Sequence, residues 1–169
     1  VALASYSWMM HLWTNKCTGC CTLSADSIYG LCTCQPRCKK SDICGWKQAT
    51  ILKSLNLDET DLLYANFRNE VGINPYLILR DRKWKTLVLT IRGTLSFEDM
   101  ISDVTVTPIS LEELGKQFGF DGKDSFCHAG MLRGAQFIYN DLQTHNILTD
   151  AIKENPDYGV RIVGHSLGE

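Results

Sequence analysis

The last ten residues constrain the fold most strongly, because an apolar β-branched run leads directly into a pattern of glycine, serine and glycine. Val160 to Val163 predicts a buried strand, and Gly164, Ser166 and Gly168 follow at alternate positions. A serine on a sharp turn between a strand and a helix needs glycine on both sides, since larger side chains would clash with the neighbouring elements. The pattern predicts a nucleophile elbow with Ser166 at its tip, and an ordinary strand-to-loop junction is the alternative.

The composition of the chain is that of one globular domain. The 169 residues are 44% hydrophobic and carry a formal charge of −2, which gives no hint of a nucleic-acid-binding surface. No stretch reaches the ~18–20 apolar residues of a membrane-spanning helix. The longest candidate, Val1 to Trp13, is an interfacial anchor, the tail of an upstream span or a buried element of the domain.

Seven of the eight cysteines are clustered within residues 17–44. Free or acylated thiols beside a membrane-proximal segment are the first interpretation. Disulfides rank third, because seven clustered thiols and a distant Cys127 leave an odd local count. Zinc binding ranks second, with Cys17, Cys20, Cys32 and Cys34 as the ligands. It does not rank first because the cysteine spacing is not that of a clean two-pair zinc site.

Hydrophobic periodicity predicts helices and strands along the rest of the chain. The first half is predicted to hold a helix over residues 46–55, a second helix begun by Asp58 with Leu62, Leu63 and Phe67 buried, and an antiparallel hairpin of residues 76–79 and 86–91. The second half is predicted to hold an irregular region over residues 104–126 with a helical stripe at Leu111, Leu114 and Phe118, a helix from Gly130 with a stripe at Met131, Ala135, Ile138 and Leu142, and a helical pattern over residues 147–152. The strand before Ser166 is then the central parallel strand of a βαβ unit.

Several residues have the chemistry that acyl transfer requires, which is a nucleophile, a base, a group that orients the base, and donors for the oxyanion. Ser166 supplies the nucleophile, and the backbone N–H of Leu167 is suited to be one oxyanion donor. Gly93-Thr94 follows the second strand of the hairpin, where a second donor is usually found. Asp103 lies nine residues beyond Thr94 and could hold the threonine hydroxyl.

Three ordered motifs give the chain a specific resemblance to a known family. They are Thr90-Ile91-Arg92-Gly93-Thr94 with Asp103, His128-Ala129-Gly130, and Ile162 to Gly168. Together they resemble the class 3 lipase family, and within it the sn-1-specific diacylglycerol lipases, particularly the beta type. The resemblance implies an incomplete α/β-hydrolase fold, with a mixed, mostly parallel sheet and flanking helices. It also divides the chain into an apolar, Cys-rich segment over residues 1–43 and a partial hydrolase domain over residues 44–169.

The resemblance also implies a role for individual residues. By this resemblance, Ser166 is the nucleophile, and Gly164 and Gly168 are the glycines of the elbow. Thr94 and Leu167 form the oxyanion hole, and Asp103 supports Thr94. In this family the triad acid and histidine both follow the serine, so His128 is read as a buried structural histidine. His165 is given a packing role, and His145 has no neighbour in the sequence that supports a role.

The family implies hydrolysis of the sn-1 ester of diacylglycerol, which yields a 2-acylglycerol and a fatty acid. It further implies calcium dependence with unidentified ligands, several upstream membrane spans, and a plasma-membrane location with the catalytic domain in the cytoplasm. Because Glu169 ends the chain before a triad acid and base appear, we expect an inactive amino-terminal part of a lipase. The alternative is a short, inactive paralogue that binds lipid or a protein partner.

Overall fold

A four-stranded mixed sheet is the centre of the computed structural model, which describes residues 46–70, 72–93 and 108–165. Before the sheet comes helix α1 (Trp46–Leu55), and a 3-10 turn (Glu59–Asp61) leads into its first strand. The remaining elements are, in order, β1 (Leu62–Asn66), β2 (Tyr76–Asp81), β3 (Thr86–Arg92), β4 (Pro108–Ser110), α2 (Glu112–Phe118), β5 (Phe126–His128), α3 (Ala129–Thr144), α4 (Ile147–Glu154) and β6 (Gly159–His165).

The strands of the main sheet lie in the order β1-β2-β3-β6. The first two pairings are antiparallel, and β6 pairs with β3 in parallel after the chain has passed through α3 and α4. The predicted hairpin is confirmed as β2 and β3, and so is the parallel strand that precedes Ser166. Six of the seven residues of β3 are buried, as expected for an apolar strand between two covered faces.

Each face of the sheet carries its own hydrophobic cluster, because successive side chains of a strand point to opposite faces. Helix α1 contributes Ile51 to the first cluster, whose other buried members are Leu62, Ala65, Phe67, Leu77, Leu79 and Val88. Helix α3 contributes Ile138 to the second cluster, whose other buried members are Tyr64, Tyr76, Ile78 and Leu89. The two helices therefore cover opposite faces of the sheet.

The predicted helix that begins at Asp58 is wrong. The Asp58 side chain makes no capping hydrogen bond, and the chain forms only a 3-10 turn before entering β1. Asp61 instead accepts hydrogen bonds from Arg80 at 3.0 Å and from Arg82 at 2.7 Å. These bonds and the pairing of β1 with β2 outweigh the helical spacing of the leucines, since packing commonly overrides local propensity.

The prediction that the strand before Ser166 is buried and central is also wrong for the described sheet. Strand β6 lies at its edge, and the side chains of Val160 and Ile162 are 47% and 66% exposed. Helix α3 packs against Tyr64, Tyr76, Ile78 and Leu89, whereas the same face of β6 is largely exposed within the described ranges. Only Val163, on the other face, packs against a core cluster.

The region predicted to be irregular contains a small ordered unit, in which β4 and β5 pair antiparallel on either side of α2. Gly122 makes this unit compact, because a Cβ there would lie 2.2 Å from the carbonyl oxygen of Leu111. The predicted stripe is only partly buried, since Leu114 is half-buried and Phe118 is exposed.

Helix α3 is present as predicted, but its buried side differs from the predicted stripe. Ile138 is buried, whereas Met131 and Ala135 are exposed. Gly134 and Asp141 occupy the buried side instead. The pattern of apolar residues could not identify this face of α3, because the charged residue Asp141 is one of its buried positions.

Candidate active site

The carboxyl ends of β3 and β6 lie side by side at the same end of the sheet. Ile91 pairs with Gly164 and Arg92 with His165, so the two strands end side by side. In open α/β sheets, ligands bind beyond the carboxyl ends of the strands. In the sequence, Ser166 follows β6 directly, and Thr94 follows β3 with Gly93 between.

The reacting residues themselves lie outside the described residues. These are Ser166, Leu167 and Gly168 of the elbow, and Thr94 and Asp103 of the predicted oxyanion hole. Their mutual geometry therefore stays a prediction. Of the predicted site residues, Gly164 is described, as the penultimate residue of β6.

The end of β3 is held in place by backbone and side-chain hydrogen bonds. The N–H of Arg92 donates to the carbonyl of Pro75 at 2.9 Å, and the amide of Asn74 donates to the carbonyl of Arg92 at 3.3 Å. Helix α3 comes close to this point, since a Cβ on Gly134 would lie 3.0 Å from the side-chain oxygen of Asn74. The carboxyl end of β3 is therefore held in a fixed position.

The described histidines have different environments. His128 is half-buried, and its Nδ1 accepts a hydrogen bond from the N–H of Gly130 at 3.1 Å, which caps α3. Its structural role is thus confirmed, although full burial is not. His165 is exposed. The expectation that His145 has no supporting neighbour is wrong, because its Nδ1 lies 3.2 Å from Oδ1 of Asp141, one helical turn away.

Asp141 is the centre of a buried polar network that the sequence did not reveal. Its Oδ2 accepts hydrogen bonds from the hydroxyls of Tyr64 at 2.9 Å and Tyr76 at 2.7 Å, and from the amide of Asn66 at 3.1 Å. The network joins α3 to β1 and β2. The only signal in the sequence was the polar side chains at inward-facing strand positions, which cannot identify a partner 65 to 77 residues away.

The network makes the free energy of unfolding depend on pH in the alkaline range. Burial, and then the hydrogen bond to Asp141, raise the pKa of Tyr76 well above its ordinary value. A folded-state pKa above the unfolded value contributes stability below the unfolded pKa of about 10, and that stability is lost as the pH rises further. We therefore expect the free energy of unfolding to fall above pH 10 by up to about 1.4 kcal/mol per pH unit for this group.

Urea denaturation between pH 8 and 11.5 tests this expectation, with the pH range chosen to bracket the unfolded tyrosine pKa of about 10. Tyr76→Phe should be less stable at neutral pH and should flatten the alkaline slope. Tyr139 is 48% exposed, so Tyr139→Phe is the matched control and should keep the slope of the unmodified chain. An equal slope in Tyr76→Phe and the unmodified chain would contradict the assignment.

The described residues offer no set of metal ligands. No group of three or more His, Cys, Asp or Glu side chains within residues 46–70, 72–93 and 108–165 is placed to hold a metal ion. The Asp141 network does not fit calcium, because its hydroxyl and amide protons are directed at the carboxylate that calcium would need. No helix in these ranges is long and apolar enough to cross a bilayer.

Residues 88–169 match the family model described as Lipase (class 3). Diacylglycerol lipase-beta of Mus musculus is 29% identical over 172 residues, covering 99% of this chain and 24% of that protein. Diacylglycerol lipase-alpha of Homo sapiens is 29% identical over 181 residues, covering 99% of this chain and 17% of that protein. The crystal structure of a lipase from Rhizopus microsporus var. chinensis aligns with a TM-score of 0.50 at 28% identity, covering 70% of this chain and 37% of that one.

The described residues form part of an α/β-hydrolase fold of the lipase type, which confirms the predicted fold class. The described sheet is mixed, as predicted, but it is not mostly parallel, because two of its three pairings are antiparallel. Within that fold class, residues 88–169 are similar to the class 3 lipases, and the predicted resemblance to the diacylglycerol lipases is confirmed. The chain spans 24% of the length of the beta-type relative and 17% of the alpha-type relative.

Proposed function

We propose that the chain is part of a serine hydrolase that cleaves the sn-1 ester of diacylglycerol, releasing a 2-acylglycerol and a fatty acid. The observation that carries this proposal is the parallel alignment of β3 and β6, whose ends precede Thr94 and Ser166 at one edge of the sheet. The substrate class is inferred from 29% identity to two proteins named diacylglycerol lipases, over 99% of this chain.

In the proposed reaction the Ser166 hydroxyl attacks the ester carbonyl while a base takes its proton. The N–H groups of Leu167 and Thr94 donate hydrogen bonds to the oxyanion, and Asp103 supports Thr94. The acylglycerol leaves with the proton returned by the base, and water then hydrolyses the acyl-serine to release the fatty acid. The base and its orienting acid do not follow Ser166 in this sequence, since only Leu167, Gly168 and Glu169 do.

The setting of the reaction is proposed from the family resemblance alone. We propose a plasma-membrane enzyme with its catalytic domain in the cytoplasm, acting on diacylglycerol in the bilayer. Calcium dependence belongs to this proposal for the whole protein, and no step of the reaction is assigned to the ion. Residues 1–43, which would form the membrane-proximal segment with free or acylated thiols, lie outside the described residues.

Product analysis tests the function directly. The natural full-length protein is incubated with mixed vesicles that contain a diacylglycerol with different acyl chains at sn-1 and sn-2. We expect mass spectrometry to find the sn-1 fatty acid and the intact 2-acylglycerol. Release of the sn-2 chain would overturn the regiospecificity.

The same assay separates the enzyme from the alternative, an inactive binding protein. A polypeptide limited to residues 1–169 is expected to show no turnover, because it has no histidine or aspartate after Ser166 to serve as the usual triad base and acid. Vesicle binding by the natural full-length protein without any hydrolysis would favour the binding protein. Serine-dependent turnover by the short polypeptide would contradict its proposed inactivity.

A further inference from the structure

We propose that Asp141 is a positioning residue for the reaction, acting through a row of paired residues that crosses the sheet and ends at Gly164. The inference rests on the proposed function, since it assigns a role toward the serine of that site. Asn66 pairs with Tyr76, Tyr76 with Ile91, and Ile91 with Gly164, so the row crosses all four strands. Because directly paired residues share a face, the row lies on the face that α3 covers.

The Asp141 carboxylate binds the row at its first two members. Oδ2 accepts the amide proton of Asn66 and the hydroxyl proton of Tyr76, and a third proton comes from Tyr64. Oδ1 faces Nδ1 of His145 at 3.2 Å. Hydrogen bonds to an ionised acceptor are about twice as strong as neutral ones, so a single buried carboxylate fixes the distance between α3 and the sheet.

The other end of the row is the start of the candidate active site. Gly164 lies two residues before Ser166, and Ile91 lies three residues before Thr94. Two strand spacings separate Tyr76 from Gly164, which is about 10 Å. A misplacement of 1 Å between reacting groups can cost about a hundredfold in rate, so a small shift of this row would be visible in turnover.

Asp61 provides a matched control. It is also a buried carboxylate, 5% exposed, and it is held by Arg80 and Arg82. Arg80 pairs with Leu87, next to the beginning of β3, so this network lies at the opposite end of the strands from Gly164. Loss of the Asp61 charge should lower stability without moving the carboxyl ends of β3 and β6.

The test compares Asp141→Asn and Asp61→Asn in the natural full-length protein, assayed on diacylglycerol vesicles well below the melting temperature of each variant. We expect Asp141→Asn to lower kcat by about tenfold with KM within about twofold, because the site is displaced but the substrate surface is unchanged. Asp61→Asn should keep kcat within about twofold of the unmodified protein. Unchanged kcat in Asp141→Asn, or equal losses in both variants, would overturn the proposal.

Hydrogen exchange gives a readout that does not depend on turnover. Asp141→Asn should speed exchange of the amides at residues 91–93 and 163–165, whereas Asp61→Asn should act near residues 80–87. If the natural protein hydrolyses no ester, the proposed function fails. The predicted exchange pattern would then still show that Asp141 holds the carboxyl ends of β3 and β6 in place. Faster exchange everywhere, or none at residues 163–165, would reduce Asp141 to general stabilisation and overturn its positioning role.

Discussion

Ser166→Ala is expected to reduce ester hydrolysis by the natural full-length protein by about a thousandfold or more. In the proposed reaction the substitution removes the oxygen atom that forms the acyl-enzyme, while the other proposed site residues would still bind substrate and an oxyanion. The change removes one hydroxyl and adds no volume, so the melting temperature should stay close to that of the unmodified protein. Hydrolysis of diacylglycerol vesicles, with thermal unfolding measured in parallel, checks both expectations.

Ser54→Ala is the matched control for the nucleophile. Ser54 is an exposed residue in α1, so its replacement should change neither turnover nor stability. A serine-directed phosphonate probe adds a covalent readout, because it should label the unmodified protein and Ser54→Ala but not Ser166→Ala. Retained hydrolysis or labelling in Ser166→Ala would show that the elbow is misassigned.

The part of the site that the sequence predicted is the part encoded by local motifs. Gly164, Ser166 and Gly168 form a pattern that can be read within a few residues, and the structure puts the strand before it beside β3 as expected. The Asp141 network could not be predicted in this way. Its partners are 65 to 77 residues distant along the chain, and only the folded sheet brings Tyr64 and Tyr76 to one carboxylate.

The fold was predictable where one period dominated the pattern. Helices α1, α3 and α4 have such patterns, and all are present. The β2–β3 hairpin, which is also present, was predicted instead from two apolar runs on either side of a charged turn. β1 was mistaken for a helix because Leu62, Leu63 and Phe67 fit a helical face in isolation, whereas pairing with β2 decides the structure. An apolar run likewise predicts a strand but not its neighbours, so Val160 to Val163 could not show that β6 lies at the edge of the described sheet.

A pair of substitutions on adjacent strands should show how differently the core and the edge strand β6 contribute to the free energy of unfolding. Leu89 and Ile162 are paired in register on the same face of the sheet, yet Leu89 is 5% exposed and Ile162 is 66% exposed. Leu89→Ala should lower the free energy of unfolding by about 2–5 kcal/mol, because it leaves a cavity beneath α3. Ile162→Thr should cost less than about 1 kcal/mol, since threonine retains the β-branched shape and the side chain is already in water.

Urea denaturation of a polypeptide with residues 1–169 measures both values, and the natural full-length protein provides the comparison. A small cost of Ile162→Thr in the short polypeptide, rising by about 1 kcal/mol or more in the full-length protein, would show that further chain covers this face of β6. Equal costs of Leu89→Ala and Ile162→Thr in the short polypeptide would contradict the exposed position of β6. Because Ile162 and Gly164 share this face, the same measurement reports how the strand leading to Ser166 is held.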